Sequence, residues 1–262
     1  DSGVIIDEIK STRANLDAID EDYSLLHWIQ AKCYAWMYCH REDIESITVR
    51  LTYVNVDTEE IKQLHEDYNY DDLEHFIEDL IGQYQRWTNL SISLKSKRDK
   101  SIQELVFPFD HYRKGQRELA ANVYRGVRDK QALFAQAPTG TGKTMSVLFS
   151  SIKAMGEGMG SKIFYLTAKT ITRQVAEQAI QTMQGKGLSQ RSITLTAKDK
   201  ICLSDTTECD PELCRYAQGH YDRINDAVFD ILTNESMITR GVLIDYAKRH
   251  MVCPFEFGLD IS

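Results

Sequence analysis

The chain has 262 residues, of which 42% are hydrophobic and 27% charged, a balance that suits a folded globular chain and excludes a fibrous or low-complexity one. No apolar run approaches the roughly 20 residues of a membrane span. The net charge of −8 is uneven: residues 1–100 carry 21 acidic and 11 basic side chains, and residues 101–262 carry 18 and 20, so the second part is the better candidate for meeting a polyanion. No secretory leader is expected, the location is expected to be cytoplasmic, and no membrane partner is expected. Six cysteines in such a chain point to metal or catalysis before disulfides. The start at Asp1 and the end at Ser262 read as edges of a fragment of a longer protein.

Gly3 to Lys10 reads as a strand. Its Asp7-Glu8 pair has the look of a Walker B end, but that element normally follows a phosphate loop, and here it precedes one by well over a hundred residues. The other reading takes Glu8-Ile9-Lys10 as an E-x-K. Strand alternation puts Glu8 and Lys10 on one face, where the carboxylate can hold a divalent metal and the lysine can steady a water or a phosphate. A helix from about Tyr23 to Tyr38 follows, with Gln30 and Tyr34 at i and i+4 on one face. E-x-K followed by Q-x-x-x-Y resembles the RecB-type branch of the PD-(D/E)xK nucleases. The resemblance implies that Gln30 and Tyr34 line the active site or the DNA, and that a required aspartate lies upstream of residue 1. Cys33 and Cys39 read as helix packing. Ser46 to Asp57 alternates as the next strand, and Asp71 to Leu90 has the apolar stripe of an amphipathic helix. The polar, basic run 91–100 reads as a domain boundary.

Further on, the cluster Tyr112-Arg113-Lys114-Gly115-Gln116 precedes a helix ending near Arg128. It resembles the Q-motif of superfamily 2 helicases, which implies that Gln116 reads an adenine edge. The run 131–136 reads as a short buried strand, and residues 145–152 as a helix. Between them stands Ala137-Pro138-Thr139-Gly140-Thr141-Gly142-Lys143-Thr144. Strand, glycine-bearing loop, Gly-Lys-Thr and helix together make a P-loop, with Ala137 where the strict pattern has glycine. The glycines let backbone N–H groups converge on phosphate oxygens, and the helix N-terminus adds a favourable dipole. Thr139, Gly140, Thr141 and Gly142 would cradle the phosphates, Lys143 would reach the β- and γ-phosphates, and the Thr144 hydroxyl would hold Mg²⁺. An ordinary Gly/Thr turn is the plain alternative.

Two more strands are expected, at 162–170 and 191–198, around a helix from Ile171 to Met183. Such alternation gives an α/β fold with a RecA-like parallel sheet. Thr167, Lys169, Thr170 and Lys198 fall at carboxyl ends of strands, where ligands gather, and suit contacts to a nucleic-acid backbone.

Cys202, Cys209, Cys214 and Cys253 form C-x6-C-x4-C-x38-C after the third of these strands, in a helical insertion. The tight C-x2-C pairs of zinc sites are absent; four thiolates at looser spacing fit an iron–sulfur cluster, with zinc the alternative. Val242 to Asp245 has a Walker B flavour but sits on a helical pattern. A P-loop followed by a four-cysteine lobe resembles the XPD/DinG family of iron–sulfur DNA helicases over residues 111–262. The resemblance implies ATP, Mg²⁺ and a 4Fe–4S cluster as cofactors, 5′–3′ movement, and single-stranded or forked DNA as partner. The domains expected are a partial nuclease-like α/β domain (1–98), a linker (99–110), the front of a helicase motor (111–199) and the cluster insertion (200–262). The alternative is a P-loop ATPase with a structural zinc lobe and a non-catalytic DNA clamp at its N-terminal side.

Overall fold

A computed structural model describes residues 3–138, 140–168, 170–204 and 209–262, with Thr170 described by its backbone alone. The expectations for Thr139, Lys169 and the Thr170 side chain lie outside the described residues. Contacts divide the chain into two units, Asp1–Thr88 and Asn89–Ser262.

The first unit is a three-stranded mixed sheet with a helix against it. β1 (Ile5–Thr12) leads through α1 (Leu25–Glu42) to β2 (Ser46–Asn55), and β3 (Ile61–Asn69) closes the order β1-β2-β3. β2 lies parallel to β1 and antiparallel to β3. Its alternation buries Ile47, Val49, Leu51 and Tyr53, each worth about 1.5–3 kcal/mol of transfer free energy. α1 answers with Trp28, Ala31, Ala35 and Cys39, a stripe at helical spacing that meets the sheet. Cys39 is therefore core, as its helical position implies. α1 stops at Asp43, which adopts the left-handed conformation at φ 55° and returns its N–H to the Cys39 carbonyl.

β3 escapes the sequence reading. Most of its side chains are polar, and its burial alternates only between exposed and half-buried, as suits an edge strand. The turn before it is built by Asn55, whose side-chain oxygen accepts from the N–H groups of Asp57 and Thr58. The sequence reading also ends the next helix at Leu90 and starts a linker at 99. Instead α2 (Tyr70–Glu104) is continuous. From Gln83 to Glu104 there is no glycine or proline, so the polar run marks an exposed helix surface rather than a break.

In the second unit α3 (Gln116–Arg128) packs on α4 (Lys143–Gly156), and α4 on α5 (Thr170–Gln184). Leu148, Ile152 and Met155 of α4 share a core with Met183 of α5 and with Ile102 and Leu105. Gly156 is where the end of α4 passes closest to Ile102: a Cβ there would lie 2.3 Å from Ile102 Cγ2 and 2.9 Å from its Cβ. Ile102 is buried and has no room to retreat. Gly156→Ala is expected to cost about 1–3 kcal/mol, read as a lowered thermal midpoint by circular dichroism, as overpacking costs elsewhere. An unchanged midpoint would mean that the helix end shifts freely.

Beyond α5 come β4 (Ser192–Ile193), α6 (Lys198–Ile201), α7 (His220–Asn234), β5 (Met237–Ile238), α8 (Arg240–His250) and α9 (Pro254–Ile261). α7, α8 and α9 pack on one another. Val242–Asp245 lies inside α8, in agreement with its helical pattern. Residues 214–218, expected as helix, form none: 215–218 are turns.

Of the parallel strands expected in this unit, β4 is the one that forms among the described residues, and it is two residues long. It pairs in parallel with β5, which the sequence reading did not find. Residues 131–136 and 162–168 form no strand. A strand buried on both faces takes its order from neighbours on either side, and apolar composition alone cannot supply them. In these stretches Phe134 is 96% exposed and Leu166 89%.

Candidate functional site

Three groups of side chains carry the chemistry, two in the second unit and one in the first. The loop Ala137–Thr144 feeds directly into α4. Gly140 at φ 81° and Gly142 at φ 77° occupy the left-handed region that glycine enters without strain, and Gly142 caps α4. The first N–H groups of a helix lack intrahelical acceptors, so the loop presents donors at α4's start. Lys143 folds back into the loop, its Nζ donating to the carbonyls of Ala137 at 2.7 Å and Pro138 at 2.8 Å. Thr141 Oγ1 donates to the Pro138 carbonyl at 2.9 Å, and Thr144 Oγ1 lies 3.2 Å from the Tyr165 hydroxyl.

Gln116, expected at an adenine edge, is only 4% exposed and both ends of its amide are engaged inside the protein. Oε1 accepts from the Arg113 N–H at 2.9 Å, and Nε2 donates to the Gly142 carbonyl at 3.3 Å. A Cβ at Gly142 would come within 2.3 Å of Gln116 Nε2. Arg113 in turn donates to the Gly140 carbonyl. Arg113 and Gln116 therefore brace the loop through the carbonyls of Gly140 and Gly142. Sequence spacing put these residues near the loop; the contact itself needed the packing of α3 on α4.

The second group surrounds a cavity lined by Cys202, Cys209, Cys214 and Cys253, together with Lys198, Tyr216, Pro254 and Phe255. Cys202 ends α6 and its sulfur accepts from the Ser204 N–H at 3.4 Å. Cys214 is 7% exposed and sits in a turn in which its N–H donates to the Asp210 carbonyl at 2.8 Å. Cys253 caps α9, with Pro254 at the first helical position. Burial pushes the Cys253 thiol up, with the peptide groups of Glu256 and Phe255 opposing. Lys198, expected at a strand end facing nucleic acid, instead has its amine against the Cys209 sulfur, which holds it in the charged form. Among the described residues no three His, Cys, Asp or Glu side chains close on a single ion-sized point. All four thiol-bearing residues line one small cavity of about 20 Å³. Thr167 lies in the stretch without strand structure.

The third group lies in the first unit, on the face that β1 turns toward α1. Glu8 and Lys10 form an ion pair at 2.7 Å, Lys10 Nζ donates to Gln30 Oε1 at 3.0 Å, and Gln30 Nε2 reaches the Tyr34 hydroxyl at 3.4 Å. All four residues expected from the E-x-K and Q-x-x-x-Y spacings are joined in one chain of contacts. Asp7 is not part of it: it bonds Arg50 and Thr52, each at 2.7 Å. Asp7 and Glu8 therefore do not share a face as two metal carboxylates would. The sequence reading missed His27, which lies three residues before Gln30 and so on the same face of α1. Its Nδ1 is 2.9 Å from the Tyr53 hydroxyl. Burial and the Lys10 charge push its pKa down, against an opposing pull from Glu8.

The Asp7 contacts make a pH prediction. Burial alone would raise its pKa, but the Arg50 and Thr52 bonds and the Arg50 charge outweigh burial and hold it below the usual carboxylate value. A carboxyl depressed in the folded state stabilises above its unfolded pKa of about 3.9, and that contribution is lost as pH falls through the folded value. Arg50→Met is therefore expected to lower the thermal midpoint at pH 7, with the gap to the parent narrowing below about pH 4. A gap that stays constant from pH 7 to pH 3 would show that the Asp7 charge does not stabilise this sheet.

No helix among the described residues is long and apolar enough to cross a membrane. A scan against protein-family models, a search of curated proteins and a search of solved structures each return no match.

Proposed function

We propose that the chain is part of an ATP-dependent DNA helicase of the iron–sulfur DinG/XPD type, with a RecA-like motor and a nuclease-like module at its N-terminal side. The observation that carries this reading is the convergence of Cys202, Cys209, Cys214 and Cys253, scattered over 52 residues, on one cavity in the unit that also holds the phosphate loop. Zinc sites usually show tight C-x2-C pairs, and the looser spacing of these four cysteines favours a multi-iron centre. The chemistry of the donors fits such a centre: four thiols, one lysine to offset their charge, and the side chains of Tyr216, Pro254 and Phe255 beside them. A 4Fe–4S cluster, when bound, supplies a four-point covalent staple and a one-electron centre.

In the motor, the loop N–H groups and Lys143 bind and orient the triphosphate, and Thr144 offers its hydroxyl to Mg²⁺. Lys143 must first exchange the Ala137 and Pro138 carbonyls for phosphate oxygens. Braced by Arg113 and Gln116, the loop keeps its shape during that exchange. Single-stranded or forked DNA is the partner this reading requires. In the first unit Glu8 would take a divalent cation, and Lys10, oriented by Gln30, would steady a phosphate or a water beside it. Anaerobic loading with iron and sulfide should give a brown protein absorbing near roughly 400 nm. A colourless protein that retains zinc alone would replace the helicase reading with that of a P-loop ATPase bearing a zinc lobe.

A further inference from the structure

Cys253 stands apart from the other three cysteines by 38 residues, so something beyond chain proximity has to bring it to them. The first turn of α7 does this. His220, its first residue, is 3% exposed, and its Nδ1 accepts the backbone N–H of Cys253 at 3.2 Å. Arg223, three residues on and on the same face, reaches the same segment. Its Nε donates to the carbonyls of His250 at 3.2 Å and Met251 at 3.3 Å, and its Nη2 to the carbonyl of Met251 at 2.7 Å. A further bond from Nη2 to the Gln218 carbonyl ties the guanidinium to its own end of α7. Room for the guanidinium comes from Gly219, where a Cβ would lie 2.5 Å from Arg223 Nη1. The segment so held is the one at which the chain leaves α8 through Met251, in the left-handed conformation at φ 55°.

We propose that His220 and Arg223 form a clasp that presents Cys253 to the other three sulfurs, which makes them positioning residues for the metal centre. The proposal deepens the iron–sulfur reading and rests on it for the identity of the centre. The accepted N–H fixes the Cys253 peptide plane, and the fixed φ of Pro254 restrains it from the other side. Between them the Cα–Cβ bond of Cys253 is aimed at the cavity. His220 acts here through Nδ1 as a neutral acceptor; its Nε2 has no hydrogen-bond partner and lies 3.6 Å from Asp260 Oδ2.

The test compares His220→Leu, which removes the acceptor, with His220→Asn, whose side-chain oxygen can stand where Nδ1 does, and with Arg223→Met. In the metal-free full chain, alkylation by iodoacetamide is followed at each cysteine by mass spectrometry. His220→Leu and Arg223→Met should speed modification of Cys253 about fivefold, the factor expected for losing one hydrogen bond that restrains local opening, while Cys214 keeps its parent rate. His220→Asn should restore the parent rate at Cys253. After loading with iron and sulfide, the two disruptive variants should lose iron to a chelator about tenfold faster than the parent, as loss of an outer-shell contact does at other metal sites. Unchanged Cys253 reactivity in His220→Leu, or equal acceleration at all four cysteines, would overturn the clasp. If the parent chain takes up no iron, the iron–sulfur reading falls, and the Cys253 alkylation rates still decide the clasp by themselves.

Discussion

Lys143→Ala is expected to weaken binding of a nucleoside triphosphate by about ten- to a hundredfold, because charge-assisted hydrogen bonds are worth about 1.5–3 kcal/mol and each 1.4 kcal/mol is tenfold. The ammonium donates here to the carbonyls of Ala137 and Pro138 at 2.7 and 2.8 Å, bonds it exchanges for phosphate oxygens. Those carbonyls belong to half-buried and exposed residues, so water can replace the lysine there. The thermal midpoint of the free protein should therefore stay within about a degree or two of the parent, as for other surface changes. Titration with a fluorescent triphosphate analogue measures the loss of affinity. Equal affinities in the two proteins would reduce the loop to an ordinary turn. Gln116→Ala should act differently. It removes the side-chain acceptor of the Arg113 N–H and one of the donors to the Gly142 carbonyl, which keeps those of Ser146, and it opens space beside the loop, so the expected effect is on loop order and stability first and on affinity second.

Cys214→Ser carries the second large effect: iron bound per chain after anaerobic loading should fall to less than about a fifth of the parent, with loss of visible absorbance, since a hydroxyl is a poor substitute for a thiolate ligand. Cys214 is suited to this test because its backbone is held independently of its side chain. Its N–H donates to Asp210, and its carbonyl accepts from Ala217 and Gln218, both at 2.9 Å. Serine is close in size, so the turn should persist and the change should report on ligation rather than folding. Cys33→Ser supplies the comparison, since Cys33 lies on α1 in the other unit and should leave iron content unchanged. Retention of parent iron by Cys214→Ser would remove Cys214 from the ligand set.

Which parts were legible beforehand follows the range of the interactions involved. α1, α4, α7 and α8 announce themselves through apolar residues three and four apart, and β2 through alternation, because both patterns are written within a dozen residues. β3 is hidden by its polar side chains, since an edge strand needs little apolar surface. β5 is two residues long, and its pairing with β4 lies more than forty residues away in the chain. The site shows the same division. Glu8, Lys10, Gln30 and Tyr34 could be grouped from spacing on one strand and one helix. His27 could have been added by the same helical arithmetic, as it sits three residues before Gln30. The neighbours of Gln116 and Lys198 could not be placed this way: the Gly142 carbonyl meets Gln116 through the packing of α3 on α4, and Cys209 stands beside Lys198 at the cavity.

By itself, then, the order of amino acids determined the glycine loop with its lysine, the helices with their apolar faces, and which cysteines are available as ligands, because each depends on residue type and short separations. Only the tertiary structure decided that Arg113 and Gln116 brace the loop, that four distant thiols line one cavity, and that α7 holds the segment bearing the last of them. Those outcomes depend on hydrogen bonds between segments 26 to 33 residues apart, and the direction of such a bond exists only once the helices that carry its two ends have packed.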